Sequence, residues 1–148
     1  MKALFYGSFD PFTNGHYNIL KQAEQLFDDV LIVIARNPKK KRRFTVESCL
    51  EVIKKLTYYP VIYTDDALPI FLAKEYNCDY IIRGLRNTTD YLYEESIALM
   101  ENEINKSIQT IYLRSNNNIS STMVYELYEA GYDVNKYLPY RITQLEKL

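Results

Sequence analysis

The sequence predicts an α/β fold, a parallel sheet flanked by helices, and three observations carry that expectation. Short apolar runs without alternation recur along the chain, segments with apolar residues at helical spacing lie between them, and polar turns separate the two. Unbroken apolar runs suit strands covered on both faces, and regular alternation with helices implies parallel strands joined by right-handed crossovers.

Taken in order, Ala3 to Tyr6 reads as the first strand, and Leu20, Ala23 and Phe27 recur at helical spacing as the core stripe of the first helix. Val30 to Ala35 is the second strand. Thr45 offers a helix N-cap, with Cys49, Leu50, Ile53 and Leu56 as the apolar stripe before a turn at Tyr59 and Pro60. Val61 to Tyr63 is the third strand, Pro69 fits the first turn of a helix running to Glu75, and Tyr80 to Ile82 is a fourth strand ending at Arg83. A helix from Asp90 through Met100, a strand from Thr110 to Leu113, and a helix opening at Ser120 and stopping at Gly131 complete the set. With 148 residues, 47% hydrophobic content and no repeat, linker or low-complexity stretch, the expectation is one Rossmann-like domain over residues 1–148.

The net charge of -1 and a pI near 5.9 argue against a broad basic face for nucleic acid. Cys49 and Cys78 match no metal-ligand spacing and read as buried reduced thiols. The apolar start, Met1 to Tyr6, is too short for a signal peptide, and no later run is long enough to span a bilayer. A cytoplasmic protein without membrane or nucleic-acid partners is expected.

Parallel sheets of this kind bind ligands outside the carboxyl ends of their strands. After the first strand come Gly7, Ser8, Phe9, Asp10, Pro11, Phe12, Thr13, Asn14, Gly15 and His16, and then a helix. The two glycines let backbone approach a ligand, and the helix start offers free N–H groups and a positive dipole end to a polyphosphate. Read alone, these residues leave blander alternatives open. A single histidine often only satisfies local hydrogen bonds, Lys39 to Arg43 reads as a solvated basic run, Arg83 and Arg86 as surface arginines at a strand end, and Ser120 to Thr122 as a helix cap.

The stretch Gly7 to Pro11 followed by Thr13-Asn14-Gly15-His16 resembles the signature of nucleotidyltransferases that share a histidine-containing site with class I aminoacyl-tRNA synthetases. Its wording is most similar to the phosphopantetheine adenylyltransferase family. The likeness continues through Asn37-Pro38-Lys39-Lys40, Ile82 to Asn87, Asp90, Tyr93-Glu94, Ile119 to Thr122 and Asp133-Val134. That resemblance implies transfer of the adenylyl group of ATP to 4'-phosphopantetheine, giving dephospho-coenzyme A and pyrophosphate, with Mg2+ accompanying ATP. It implies that Ser8, Lys40 and Arg83 hold the acceptor phosphate, with Pro69 in the pantetheine channel. His16 and Arg86 would contact ATP phosphates, Phe9, Gly84 and Leu85 would line the nucleotide site, Glu94 would hold the nucleoside end, and Ser120, Ser121 and Thr122 would meet the triphosphate. Such chemistry needs cations and donors rather than a general base, because the acceptor phosphate is already an anionic nucleophile. The family also implies a homohexamer.

The chain departs from the family pattern at several places. Pro69 replaces an aliphatic residue, Glu101 an asparagine, Tyr6 a proline, Ser8 a threonine and Tyr125 a basic residue, and the loop from Arg114 to Asn118 is shortened. Two rival readings follow: another nucleotidyltransferase with nicotinamide mononucleotide or glycerol phosphate as acceptor, and a non-catalytic nucleotide-binding module. The tract from Arg83 to Arg86, with Tyr93-Glu94 and Asp133-Val134, favours phosphopantetheine within the resemblance.

Overall fold

A computed structural model describes residues 1–65 and 68–148. Its elements are β1 (Lys2–Gly7), α1 (Asn14–Leu26), β2 (Asp29–Ala35), α2 (Val46–Lys54), β3 (Val61–Thr64), α3 (Pro69–Glu75), β4 (Tyr80–Leu85), α4 (Thr88–Ile104), β5 (Gln109–Arg114) and α5 (Ser121–Glu129), followed by two short 3-10 turns. The strands form one sheet in the order β3-β2-β1-β4-β5, and every neighbouring pair is parallel. The expected α/β sheet flanked by helices is the fold observed.

The unbroken apolar runs explain the layering. In β2 every residue from Val30 to Ala35 is buried, with Ile32 and Ile34 facing α1 and α2 while Leu31 and Val33 face α3. Burying each such side chain stabilises the fold by about 1.5–3 kcal/mol. Leu20, Ala23 and Phe27 lie in the core as expected, and Cys49 and Cys78 are buried free thiols that burial pushes up to about 11. Among the described residues no helix is long and apolar enough to cross a membrane.

Local signals place most element ends. Thr45 caps α2 by accepting the Ser48 N–H at 3.2 Å, Pro69 opens α3, and Ser120 caps α5 by accepting the Met123 N–H at 2.9 Å. Gly131, just past α5, takes a left-handed φ of 88°. Two boundaries differ from the sequence reading. β4 continues past Arg83 because its ladder with β5 runs on to Leu85 opposite Arg114, so Arg83 lies inside the strand rather than at its end. α4 starts at Thr88 under an Asn87 cap and reaches Ile104, beyond the expected Asp90 to Met100.

The chain leaves β1 through a tight packing step. Phe9 is buried and holds a left-handed φ of 45°, a conformation a bulky residue keeps only where its surroundings fix it. Its ring lies edge-on to Phe5 and Phe12 with centroids at 5.2 Å and 5.1 Å. A Cβ on Gly7 would come within 2.8 Å of that ring, which explains a glycine there. Gly7→Ala is therefore expected to destabilise the protein by about 1–3 kcal/mol, read from the urea unfolding midpoint. An unchanged midpoint would show that the ring has room to shift.

Candidate active site

β1 is flanked by β2 on one side and β4 on the other, and the chain order reverses between β1 and β4. The crevice at the carboxyl ends of those two strands is where such sheets bind ligands. Ser8 and His16 follow β1, Gly84 and Leu85 close β4, and Arg86 comes directly after it.

His16 is the third residue of α1 and is fixed by the cap. Its Nδ1 accepts the backbone N–H of Thr13 at 3.0 Å, so a capping box is closed by an imidazole where Glu or Gln is usual. A nitrogen that accepts an N–H carries no proton, so the neutral ring keeps its proton on Nε2. Phe9 and Phe12 pack against the ring with centroids at 5.0 Å and 5.4 Å. Burial, and then the positive charge of Arg86, lower the His16 pKa to about 4, although part of the residue still faces solvent. His16 is thus a neutral Nε2–H donor, and Arg86 is the cation whose field reaches it.

The basic run divides in two. Lys39, Lys40 and Lys41 are exposed, and no ammonium of theirs has a partner among the described residues; the turn beneath them is closed by Lys40 N–H donating to the Asn37 carbonyl at 3.2 Å. Arg42 and Arg43 instead build the loop. Arg42 donates to the Ser8 carbonyl at 2.8 Å, and Arg43 donates to the Asp10 carbonyl at 3.0 Å and the Thr122 hydroxyl at 2.6 Å. The buried Asp10 carboxylate completes the latch by accepting the N–H groups of Arg43 at 2.7 Å and Phe44 at 2.9 Å. Sequence reading missed Asp10, Arg42 and Arg43 as organisers. The available signal was a change from lysine to the fork-shaped arginine just before Phe44 and the Thr45 cap.

α5 closes the same edge. Ser120 serves as its cap, Ser121 donates to the Pro11 carbonyl at 2.8 Å, and Thr122 is held by Arg43. The structure thus brings Ser8, Phe9, His16, Ser120, Ser121 and Thr122 to one edge, with Arg86 in electrostatic reach. Ser8 is exposed, and its hydroxyl has no partner among the described residues.

Arg83 and Glu94 form a cluster of their own with Tyr6 and Glu101. The Arg83 side chain is fully buried; Nη1 donates to Tyr6 Oη at 2.5 Å and to Glu94 at 2.8 Å, and Nη2 donates to Glu101. Arg86 is oriented by Asp90, which accepts its Nε at 2.9 Å and its Nη2 at 2.8 Å. Asp90, Glu94 and Glu101 share one face of α4 at helical spacing, so this helix offers carboxylates to the strand end. Burial raises the Glu101 pKa even though Arg83 pulls it down, and Arg83 stays charged because Tyr6, Glu101 and Glu94 outweigh its own desolvation. Pro69 is buried at the start of α3, and the neighbouring Ile70 N–H lies by the Glu101 carboxylate.

The cytidylyltransferase-like family model matches residues 4–127. A phosphopantetheine adenylyltransferase of Streptococcus uberis is 40% identical over 153 aligned residues, covering 98% of this chain and 92% of that protein. The chain belongs to the phosphopantetheine adenylyltransferase family. A second member, from Limosilactobacillus reuteri, is 37% identical over 152 aligned residues, covering 98% of this chain and 87% of its own. The solved structure of TmcAL from Thermotoga maritima, bound with alpha-thio ATP, aligns with a TM-score of 0.71 over 93% of this chain and 53% of that one. At 14% identity it attests the fold alone. As in the rest of this family, the chain is a nucleotidyltransferase.

One measurement isolates the histidine, since the chain has a single one. Nitrogen NMR is expected to show the Nε2–H tautomer and no titration between about pH 8 and pH 5.5. The unfolded chain takes up this proton near the ordinary value of 6.5 and the folded chain only near 4, so stability falls as pH drops across that window. A folded-state midpoint near 6.5 would overturn the assignment.

Proposed function

We propose that the chain transfers the adenylyl group of ATP to 4'-phosphopantetheine, with residues 1–148 acting as one nucleotidyltransferase domain. An oxygen of the acceptor phosphate attacks the α-phosphorus of ATP, a new P–O bond forms, the bond to the β-phosphate oxygen breaks, and pyrophosphate leaves. No proton has to be removed from the nucleophile, so the barrier lies in bringing two polyanions together and stabilising the charge that builds in line.

The observation that carries this mechanism is the state of His16. A neutral imidazole locked by Thr13 is unsuited to act as a base and well suited to donate Nε2–H to an α-phosphate oxygen. Ser8, Lys40 and Arg83 are assigned to the acceptor phosphate, with Pro69 beside the pantetheine arm. Arg86, set by Asp90, is assigned to the ATP phosphates, because a guanidinium fork matches phosphate oxygens. Ser120, Ser121 and Thr122 would meet the triphosphate at the α5 N-terminus, where the helix dipole favours an anion. Phe9, Gly84 and Leu85 would line the nucleotide site and Glu94 would receive the nucleoside end. Among the described residues no group of three or more His, Cys, Asp or Glu side chains converges on a metal site. Magnesium is proposed to enter with ATP, held mainly by the substrate phosphates. A cytoplasmic setting and a homohexamer complete the proposal; exposed Leu92, Leu99, Met100 and Ile104 on α4 support assembly.

Purified protein supplied with ATP and magnesium is expected to release pyrophosphate with 4'-phosphopantetheine, and not with nicotinamide mononucleotide or glycerol 3-phosphate. Release with either alternative acceptor and none with 4'-phosphopantetheine would reject this assignment. His16→Ala and Lys40→Ala are each expected to lower kcat by about a hundredfold to a thousandfold while weakening ATP binding far less. A loss under about threefold in both variants would refute their roles in the transition state.

A further inference from the structure

Tyr6 and Glu101, from a strand and from a helix, converge on one guanidinium. Tyr6 Oη accepts from Arg83 Nη1 and in turn donates to Glu94 at 3.4 Å, while Glu101 takes Nη2. Two carboxylates therefore oppose one buried cation. They differ in exposure: the Glu101 side chain is 3% exposed and that of Glu94 is 23% exposed. Arg83 Nε is buried without a hydrogen-bond partner among the described residues, a donor that an incoming anion would satisfy. An anion reaching Arg83 therefore competes with Glu94, the more exposed of the two carboxylates.

We infer that Glu101 and Tyr6 are positioning residues that weaken the grip of Arg83 on the acceptor phosphate, Glu101 by countering its charge from behind and Tyr6 by latching Glu94 over its open edge. The inference rests on the reading of Arg83 as an acceptor-phosphate ligand. Glu101 anchors the guanidinium and cancels much of its field, so the phosphate competes with carboxylates already in place.

The test is steady-state kinetics with 4'-phosphopantetheine and ATP on Glu101→Gln, which keeps an acceptor for Nη2 and removes the charge, and on Tyr6→Phe, which removes the latch. Each is expected to lower the acceptor KM by at least about threefold, and Glu101→Gln, which does not touch Glu94, is expected to leave the ATP KM unmoved. A purely structural role predicts no gain, because damage to a fold does not selectively tighten one substrate. Arg83→Lys separates the two levels of the argument, since it keeps the buried charge and loses the fork. If Arg83→Lys raises the acceptor KM and neither Glu101→Gln nor Tyr6→Phe lowers it, the inference is wrong and the ligand reading stands. If Arg83→Lys leaves the acceptor KM unchanged, the ligand reading itself fails. Should Glu101→Gln not fold, Tyr6→Phe at the rim of the same cluster decides the question.

Discussion

Both edges of β1 are taken, by β2 on one side and β4 on the other, so the chain can leave that strand only through the crevice where the strand order reverses. Everything at the site is arranged around that exit. The loop has to turn sharply over Gly7, seat Phe9 against Phe5 and Phe12, and start α1 within seven residues of the strand end, between Gly7 and Asn14. Such a short loop has little hydrogen bonding of its own, and its neighbours supply the rest: Arg42 and Arg43 from one side, Ser121 from another, and Tyr140, whose hydroxyl donates to the Phe12 carbonyl at 2.6 Å. The loop is shaped by the sheet beneath and held by contacts from distant segments, as a preorganised site requires.

Charge is distributed with the same logic. Three lysines project freely, two arginines are consumed in building the loop, and two more are turned by carboxylates of α4. The histidine among them stays uncharged because a cation and a desolvated pocket both oppose its protonation. A site meant for a triphosphate and a second phosphate gains from this division, since fixed dipoles and oriented donors act without reorganising at the moment of reaction.

Most of the fold was legible because its signals are local or periodic. Continuous apolar runs marked the strands, and Thr45, Pro69, Ser120 and Gly131 marked helix ends through hydrogen bonding and backbone preference that each residue carries with it. α4 was read too short because its sheet-facing side carries Asp90, Glu94 and Glu101 while Leu92, Leu99 and Ile104 face outward, so its apolar pattern points away from the sheet. The motif residues around Ser8 and His16 were legible as a set, yet the state of the imidazole depends on one backbone N–H and was not. Arg83 was expected at the end of the fourth strand as a phosphate clamp, and its burial depends on partners 11 and 18 residues away on a helix face, which spacing alone does not reveal.

The meeting of Tyr6 and Glu101 on Arg83 also bears on how substitutions combine. Residues that share one partner are not independent: the effect of changing either depends on which residue occupies the other position. Glu94 is tied to Arg83 directly at 2.8 Å and also through the Tyr6 hydroxyl at 3.4 Å. Changes at the two positions are then expected to be non-additive, and a chain carrying only one of the two residues holds Arg83 in a setting that this fold does not contain.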